Sequence, residues 1–584
     1  MVKRFSIYLL LALLAVFSCT PEEETGEKKE EGGFPKNWTV SGTVKGNDGS
    51  VIAGVVVSDG HTCVKTDSNG YYALEVDLSG NLQETLQYVF VSTPKDWAAP
   101  KADGHAIFWK WLYQCGDITG GKLTGVDFTL TKIANPDRFT LYIFGDPQPR
   151  SDDPDSESWT EDSAFHSLDI CNDMYKDMKE YAATMTDRPV YGICLGDVVH
   201  QQTSLLTRYR SGMAGTGITT YNVIGNHDQG HKKGLTDEQS SKAYEKVMGP
   251  TNYSFNLGDL HFLMLDNMII RKGSYSDDCE TGLTDDIWQF VQNDLKLVPS
   301  TARIMICAHS PMFRQLDGSD RKGQHLSEMK SLLGRFKRVY AWAGHTHSTF
   351  NWYSQDSNVE VHTLGRVTGA LWTNEFISEN GTPRGYMVFD YDAGDPKYDI
   401  RWKFKPIFWQ TATHAQKGTA KEPSYQYRDW NYDASGRAKL KATGEDLTDK
   451  YQMQVFAPGT YDEKDKTVYV NVFLWDEAWK KPRFQLDGAT TASTMSRIME
   501  DNGGDLYRYS YADWDITDFY AGNWPGLENQ WYDVDDKGVV HTENKKRNCA
   551  SMFRYKLNTN KDTGRGTVTV VDRFGVTHET TIEW

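Results

Sequence analysis

Short apolar runs alternate with longer segments of mixed polarity through the middle of the chain. Strand-like runs lie at 139–144, 190–195, 219–224, 260–265, 303–308, 339–343 and 359–364. Helix-like segments lie between them at 161–183, 284–297 and 327–336. This alternation of strand and helix predicts a layered α/β core.

The sequences on either side of this core have a different pattern. Residues 39–74 contain short β-type runs separated by turn sequences such as Asn47-Asp48-Gly49, which predicts a small β-sandwich. After about Lys405 the helical periodicity fades, and β-type runs return at 451–456, 467–474 and 566–571. A chain of 584 residues is too long for one hydrophobic core, so a third, β-rich domain fits both the pattern and the length.

The first residues have the pattern of an export signal. Lys3 and Arg4 precede an apolar run at 5–17, which is shorter than the ~20 residues of a membrane-spanning helix. Residues 1–18 are therefore predicted to be a signal peptide. Cys19 follows the small Ser18 and resembles the acylated cysteine of bacterial lipoproteins, and the glutamate-rich residues 19–36 form a tether. This predicts an exported bacterial lipoprotein of the outer membrane, facing the periplasm or the cell surface and contacting the membrane only through its lipid anchor.

Composition narrows the choice of partners. The formal net charge is -17 and the pI is near 5.4. The chain lacks the Lys/Arg stripe that a nucleic-acid or anionic-membrane surface requires. Its eight cysteines show no disulfide framework, although Cys63 and Cys115 are a candidate bridge in the N-terminal region. The sequence does not determine the oligomeric state.

Five polar clusters follow predicted strands, at the edge of an α/β core where sites assemble. They are Gly145-Asp146-Pro147-Gln148, Gly196-Asp197, Gly225-Asn226-His227-Asp228, His309-Ser310-Pro311 and Gly344-His345-Thr346-His347. Together they offer carboxylate, amide and imidazole ligands without thiolates. Such a set suits Mn, Fe, Zn, Co or Ni, and it is large enough for two divalent metal ions if one carboxylate bridges them.

In this order the clusters resemble those of the calcineurin-like metallophosphoesterase superfamily, whose pattern is D-x-H, G-D, G-N-H-D/E, a lone H and G-H-x-H. The resemblance implies that Asp197 bridges two metals. It implies these ligand sets: Asp146, Gln148, Asp197 and His347 for one metal, and Asp197, Asn226, His309 and His345 for the other. It also implies that His227 is a catalytic residue, which stabilises the phosphoryl transition state or protonates the leaving oxygen. The segment 253–267 resembles the strand pair between the third and fourth motifs and is interpreted as core.

Two positions depart from the family pattern. Gln148 stands where D-x-H has histidine, and its neutral amide oxygen is a poorer donor than imidazole, so the first metal is predicted to bind less tightly. His200 stands three residues after Asp197, where many phosphatases have an Asp or Asn that positions the catalytic histidine. Asp228 and His200 are therefore both candidates to orient His227.

The flanking regions resemble parts of an exported bacterial subset of the superfamily. Residues 42–44, 54–59 and 66–72 are similar to an Ig-like, carboxypeptidase-regulatory-like domain, and 452–455, 470–473 and 572–575 to a C-terminal domain of that subset. The predicted organisation is a signal peptide at 1–18, a tether at 19–36, an Ig-like β-sandwich at 37–133, a metallophosphoesterase catalytic domain at 137–405 and a C-terminal β-rich domain at 406–584. For the central domain the resemblance implies a four-layer α/β/β/α sandwich.

The ligand set predicts a hydrolase of phosphate mono- or diesters, in which metal-activated water attacks phosphorus. The sequence does not distinguish the two ester classes, and it leaves the natural substrate and the metal open. The alternative hypothesis is a surface glycan- or partner-binding lipoprotein that keeps the phosphoesterase core only as a scaffold. Metal-dependent turnover distinguishes the two hypotheses.

Overall fold

The computed structural model describes residues 34–149, 167–230, 232–271, 279–314, 320–369, 382–409, 430–441, 443–459, 464, 466–498, 551–558 and 562–584. The predicted signal peptide, the lipidation site Cys19 and residues 19–33 of the tether lie outside this range. Among the described helices, none combines the length and the apolar character needed to cross a membrane.

The N-terminal region is built of short strands joined by tight turns. Its elements are β1 (Val40–Gly46), β2 (Val56–Ser58), β3 (Cys63–Lys65), β4 (Tyr71–Leu74), α1 (Leu82–Thr85), β5 (Tyr88–Ser92), β6 (Trp97–Ala98), β7 (Lys101–Ala102), β8 (His105–Ala106), β9 (Trp109–Trp111) and β10 (Phe128–Lys132). Two four-stranded sheets have the orders β4-β1-β10-β6 and β3-β2-β5-β9. Aspartates set the turns: the carboxylate of Asp67 accepts hydrogen bonds from the N–H groups of Asn69 and Tyr71, at 2.8 and 2.9 Å.

The central region is a mixed α/β structure. Its elements are β11 (Arg138–Phe144), α2 (Ser167–Ala182), β12 (Val190–Cys194), α3 (Leu206–Thr216), β13 (Thr219–Asn222), α4 (Asp237–Met248), β14 (Tyr253–Leu257), β15 (Leu260–Leu265), β16 (Met268–Ile269), β17 (Glu280–Thr281), α5 (Asp285–Lys296), β18 (Arg303–Ala308), α6 (Leu326–Leu333), β19 (Arg338–Ala343), β20 (Phe350–Trp352), β21 (Val359–Thr363), β22 (Gly385–Asp392) and β23 (Ile400–Pro406). Two sheets have the orders β23-β22-β11-β12-β13-β8-β7 and β14-β15-β18-β19-β21-β20. The prediction of an α/β core is confirmed.

The sequence of β11 is largely apolar because both faces of the strand are buried. Because side chains alternate between the faces of a strand, Leu141 and Ile143 join one core and Tyr142 and Phe144 join another. The first core also contains residues of the six-stranded sheet, and the second contains residues of α2 and α3. Both faces of β11 are therefore buried, as expected for a central strand of an α/β sheet.

The N-terminal region reaches into the central sheet. β8 pairs in parallel with β13, with His105 opposite Thr220, and β7 pairs with β8 at the edge of the sheet. The backbone N–H of Thr220 also donates to the carbonyl of Gly104 at 2.8 Å. This hairpin attaches the N-terminal region to the strand that precedes Asn226.

The C-terminal region is β-rich, as predicted. Its described elements are β24 (Trp430–Tyr432), β25 (Ala438–Leu440), β26 (Met453–Phe456), β27 (Thr467–Val472), β28 (Arg483–Leu486), β29 (Ser493–Thr494), β30 (Ser496–Arg497), β31 (Met552–Lys556), β32 (Arg565–Val571) and β33 (Thr577–Glu583). They form sheets of order β26-β27-β31-β30 and β29-β28-β32-β33 and the hairpin β24-β25. The region packs on the central one through Phe574, whose ring meets Trp402 of β23 edge-on at 4.8 Å between centroids.

The predicted bridge between Cys63 and Cys115 is wrong. Both cysteines are free. Cys63 lies in β3 and Cys115 follows β9, which are the two outer strands of the sheet β3-β2-β5-β9. Since neighbouring strands lie about 4.8 Å apart, three strand spacings separate them, more than the ~7 Å that a disulfide tolerates between Cα atoms.

Candidate metal centre

The predicted ligands lie where strands of the two central sheets end. Asp146 and Gln148 follow β11, Asp197 follows β12 and Asn226 follows β13, which are adjacent in the seven-stranded sheet. The histidines come from the other sheet: His309 follows β18, and His345 and His347 follow β19. The centre is thus built from the carboxyl ends of strands in both sheets, which is the usual position of a site in such folds.

The glycines of these clusters let the loops meet. A Cβ on Gly225 would lie 2.2 Å from the backbone nitrogen of Asp197, and a Cβ on Gly344 would lie 2.3 Å from Oδ2 of Asp146. Gly196 has a φ of 91° and faces His309, whose Nδ1 would lie 2.7 Å from an added Cβ. Glycine is therefore required for space at three of the five clusters.

Several candidate ligands have an unusual backbone conformation. Positive φ angles occur at Asp146 (53°), Gln148 (41°), Asp197 (51°), His345 (65°) and His347 (57°). Non-glycine residues rarely adopt this conformation, which costs of order 1 to 3 kcal/mol per residue. Such strain concentrates at functional sites, because the surrounding structure holds the side chains in the geometry that function needs.

Asp197 lies at the middle of the cluster. Its Oδ2 accepts a hydrogen bond from Nε2 of Gln148 at 2.8 Å. Its Oδ1 accepts one from the backbone N–H of His227 at 2.9 Å and lies 3.2 Å from Nε2 of His309. The carboxylate is fully buried and contacts residues of both predicted ligand sets, as a bridging ligand must.

A hydrogen bond to the backbone fixes the orientation of the His309 ring. Its Nδ1 lies 2.8 Å from the carbonyl of Leu195, which makes Nδ1 the donor and leaves Nε2 for the centre. The Nδ1 of His345 lies 3.2 Å from this Nε2, so the ring nitrogens of the two histidines converge. Burial alone would lower the pKa of His309, but Asp197 and Asp146 raise it to about 9. Burial and the neighbouring His309 lower the pKa of His345 to about 3.

Asp146 links His347 to the other predicted ligands. It accepts a hydrogen bond from the backbone N–H of His345 at 3.1 Å, and its Oδ1 lies 3.5 Å from Nε2 of His347. Burial and the neighbouring Asp197 raise the pKa of Asp146 and His309 lowers it, so that its pKa is about 6. A carboxyl that is fully buried needs a cation beside it to stay ionised.

The residues fit a divalent metal. Ligand atoms of Asp146, Asp197 and His309 all lie within 4.8 Å of one another. Within the described part of the chain, Oε1 of Gln148 and Oδ1 of Asn226 are buried oxygens with no hydrogen-bond partner. A buried acceptor without a partner costs about 1 to 3 kcal/mol. Both are the amide oxygens that the sequence predicts as ligands, and metal coordination would satisfy them.

The two candidates for orienting His227 have different surroundings. The carboxylate of Asp228 accepts hydrogen bonds from the N–H groups of Val199 and Gly225, at 2.9 and 2.8 Å, so it joins two loops. Burial and Asp197 raise its pKa to about 8. His200 instead lies against His227 itself, with 4.5 Å between ring centroids. The ring of His200 thus contacts the ring of His227, the predicted catalytic residue.

Two further residues contact the centre, and the sequence did not predict them. Asn267, interpreted as core, donates from Nδ2 to the carbonyl of Ser310 at 2.7 Å and accepts from its N–H at 3.0 Å, which holds the loop of His309. Arg366 lies 2.9 Å from Nε2 of His347. Each follows the end of a buried strand, and this position is the signal that could have identified them.

Comparison with known proteins identifies the N-terminal region. Residues 38–133 match the family model described as the N terminal of calcineurin-like phosphoesterase. This region is therefore similar to the N-terminal domain of calcineurin-like phosphoesterases. The matched residues cover β1 to β10, so the match includes the β7–β8 hairpin that extends the central sheet.

Several solved structures show a distant likeness to the chain. A purple acid phosphatase from yellow lupin is 15% identical, with a TM-score of 0.30 over 46% of this chain and 54% of that one. A 5'-nucleotidase from Candida albicans is 11% identical, with a TM-score of 0.28 over 48% and 55%. A calcineurin-like phosphoesterase from Bacillus subtilis is 10% identical, with a TM-score of 0.23 over 49% and 93%. The chain thus spans about half the length of the first two proteins. No curated protein matches it significantly in sequence.

Proposed function

We propose that the chain is an exported metal-dependent phosphoesterase that hydrolyses phosphate mono- or diesters. The observation that carries this proposal is the convergence of buried Asp146, Asp197 and His309 within 4.8 Å. Beside them lie the buried amide oxygens of Gln148 and Asn226, which have no hydrogen-bond partner among the described residues. The match of residues 38–133 to the N-terminal family model of calcineurin-like phosphoesterases supports the same assignment.

The ligands divide into two sets that share Asp197. Asp146, Gln148, Asp197 and His347 would hold one divalent ion, and Asp197, Asn226, His309 and His345 would hold the other. When bound, two such ions lower the pKa of water and neutralise charge that develops on the phosphate oxygens. Each ion would be Mn, Fe, Zn, Co or Ni, because these metals suit a mixed set of oxygen and nitrogen ligands.

The protein itself supplies orientation and a proton. The carbonyl of Leu195 fixes the ring of His309, and Gln148 and the backbone of His227 hold the carboxylate of Asp197. His227 is partly exposed, so its ring can meet a substrate that enters the site. A protonated imidazole there stabilises the equatorial oxygens during attack, or it protonates the departing oxygen.

The same proposal includes the organisation and location of the chain. Residues 137–405 form a four-layer α/β/β/α catalytic domain between an Ig-like sandwich at 37–133 and a C-terminal β-rich domain at 406–584. The shared core of the two central sheets, with α2 and α3 on the other face of one of them, supports this layering. A signal peptide at 1–18 and acylation of Cys19 place the enzyme in the outer membrane.

Hydrolysis of two chromogenic esters tests the proposal. The purified full chain is assayed with p-nitrophenyl phosphate and bis-p-nitrophenyl phosphate, with each metal in turn. Asp197→Asn is expected to abolish turnover, because the shared ligand loses its charge, while leaving the circular dichroism spectrum unchanged. Asp286→Asn is the matched control, since this carboxylate is 78% exposed on α5.

Each result decides between the hypotheses. Turnover that is lost in Asp197→Asn and kept in Asp286→Asn supports the enzyme, and the preferred ester identifies the substrate class. An Asp197→Asn variant with full activity would remove the proposed centre. Absence of turnover with every metal, combined with binding of a glycan or a protein, would favour the alternative of a binding lipoprotein.

A further inference from the structure

A buried arginine lies within one half of the centre. Arg366 is 3% exposed, and one of its terminal nitrogens lies 2.9 Å from Nε2 of His347. Because a guanidinium carries its charge at every physiological pH and only donates hydrogen bonds, Nε2 of His347 is the acceptor in this contact. The lone pair through which His347 would bind a metal is therefore directed at a cation.

The backbone holds Arg366 at this position. Arg366 follows β21, and its chain runs parallel to the loop of Asp146, with Arg366 bridged to Gly145. The N–H of Val367 donates to the carbonyl of Gly145 at 3.0 Å, and Oγ1 of Thr368 donates to the carbonyl of Pro147 at 2.9 Å. Arg366 is thus a fixed part of the loop pair that carries Asp146.

Gln148 is the weakest metal ligand of the same half-site. Gln148 contributes a neutral amide, and its Nε2 already donates to Asp197 at 2.8 Å. A divalent ion bound by Asp146, Gln148, Asp197 and His347 would lie beside the guanidinium of Arg366, which repels it. Its binding must also replace the hydrogen bond between Arg366 and His347.

The other half-site is arranged to receive a cation. Nε2 of His309 and Nδ1 of His345 converge at 3.2 Å, and the carbonyl of Leu195 keeps His309 in the required orientation. Oδ1 of Asn226 is buried without a hydrogen-bond partner among the described residues. Oδ1 of Asn226 gains a partner when a metal binds. The contact that the metal replaces here is between two imidazole nitrogens and does not involve a guanidinium.

We infer that Arg366 makes the two half-sites unequal. The protein binds one divalent ion tightly through Asp197, Asn226, His309 and His345, and a second at least tenfold more weakly through Asp146, Gln148, Asp197 and His347. The inference rests on the proposed function, since it concerns the same centre. It goes beyond the weakening expected from Gln148 by assigning a specific electrostatic cause to Arg366.

Calorimetric titration of the metal-free full chain with Mn²⁺ tests the inference without measuring activity. The wild-type protein is expected to bind two ions in separate steps. Arg366→Met, which keeps the side-chain length and removes the charge, is expected to bring the two affinities at least fivefold closer. Arg366→Lys, which keeps the charge, is expected to retain the gap. His347→Ala is expected to remove the weak step alone, and His345→Ala to weaken the tight step.

The outcomes separate this inference from the proposed function. Two ions bound with equal affinity by the wild type, or an unchanged gap in Arg366→Met, would overturn the inference and leave the phosphoesterase in place. No Mn²⁺ bound at all would overturn both. If the wild type binds one ion only, a second ion in Arg366→Met supports the inference and its absence there overturns it. If circular dichroism shows that Arg366→Met does not fold, the wild type, Arg366→Lys and His347→Ala decide the question.

Discussion

The imidazole rings of His200 and His227 lie against each other, with 4.5 Å between centroids and 31° between their planes. The backbone is tied at the same place, because the N–H of Gln201 donates to the carbonyl of His227 at 2.8 Å. The residue three positions after Asp197 therefore places an aromatic ring against His227. We expect this ring contact to limit the rotation of the His227 side chain.

Replacing His200 by alanine is expected to lower kcat about tenfold, which corresponds to ~1.4 kcal/mol of transition-state stabilisation. The loss follows because the ring of His227 gains rotational freedom, while the predicted metal ligands are unchanged. His200→Phe is expected to recover most of the rate, since it restores ring contact without a titratable group. Steady-state kinetics on the preferred ester gives kcat and KM for both variants. An alanine variant with wild-type kcat would contradict the positioning role.

Gly225→Ala is expected to abolish activity and destabilise the protein. The added Cβ would lie 2.2 Å from both the backbone nitrogen and Oδ1 of Asp197, and this backbone cannot move without displacing the carboxylate. Overpacking of this kind typically costs about 1 to 3 kcal/mol. Thermal unfolding and the ester assay measure the two effects.

Gly215→Ala provides the matched control. Gly215 lies in α3, and an added Cβ would meet nothing within 4 Å. Alanine in a helix is favoured over glycine by about 1 kcal/mol, so this variant is expected to raise Tm slightly and to keep full activity. Equal effects of the two substitutions would show that the space around Asp197 is not limiting.

Arg573, whose side chain is 10% exposed, joins the C-terminal region to the central sheet. Arg573 contacts Glu360 of β21 at 2.6 Å and Asp476 at 3.1 Å, and its guanidinium lies 4.7 Å from the ring of Trp402. Arg573→Met is expected to lower the free energy of unfolding by about 3 kcal/mol, because it removes the cation beside buried Asp476 and one of the two arginines that pair with Glu360. Since β21 leads into Arg366, the variant is also expected to lose activity near its unfolding temperature before global unfolding. Calorimetry and activity at rising temperature test both statements.

Arg565, an exposed arginine of the same region, provides the control substitution for Arg573→Met. The side chain of Arg565 is 57% exposed, and its carboxylate neighbours Glu583 and Asp487 lie 3.6 and 3.8 Å away. Exposed ion pairs contribute about 0 to 1 kcal/mol, so Arg565→Met is expected to change stability very little. If Arg565→Met lowered the free energy of unfolding as much as Arg573→Met, loss of charge alone would explain both results. The burial of Arg573 between the two regions would then not be the cause.

The sequence predicted the strands that are apolar on both faces. The runs at 260–265 and 303–308 coincide with β15 and β18. It did not predict β23, where Arg401, Lys403 and Lys405 alternate with apolar residues, because burial of Lys405 depends on its ion pair with the distant Asp177. Helix α3 was missed because Gly212 disfavours a helix, yet this glycine is required where the ring of Tyr175 packs closely.

The candidate ligands were predictable because each directly follows a strand within a short motif. Their convergence is observed, while their roles as ligands stay predictions. Arg366 and Asn267 also follow strands, but they were not predicted because neither lies in one of the five motifs and their contacts depend on pairing between segments far apart in the chain. Arg366 reaches the centre only because its backbone pairs with Gly145, and no local pattern encodes that pairing.

The hairpin that joins the N-terminal domain to the central sheet is expected to be sensitive to acid. Burial lowers the pKa of His105 to about 4, whereas an unfolded histidine titrates near 6.5. Between these values the unfolded chain binds a proton that the folded chain does not, so stability falls as the pH falls from about 6.5 to 4 and is constant above. His105→Gln is expected to lose less stability over this window in urea unfolding, because it removes the titrating group. Equal losses in the variant and the wild type would show that other groups cause the acid sensitivity.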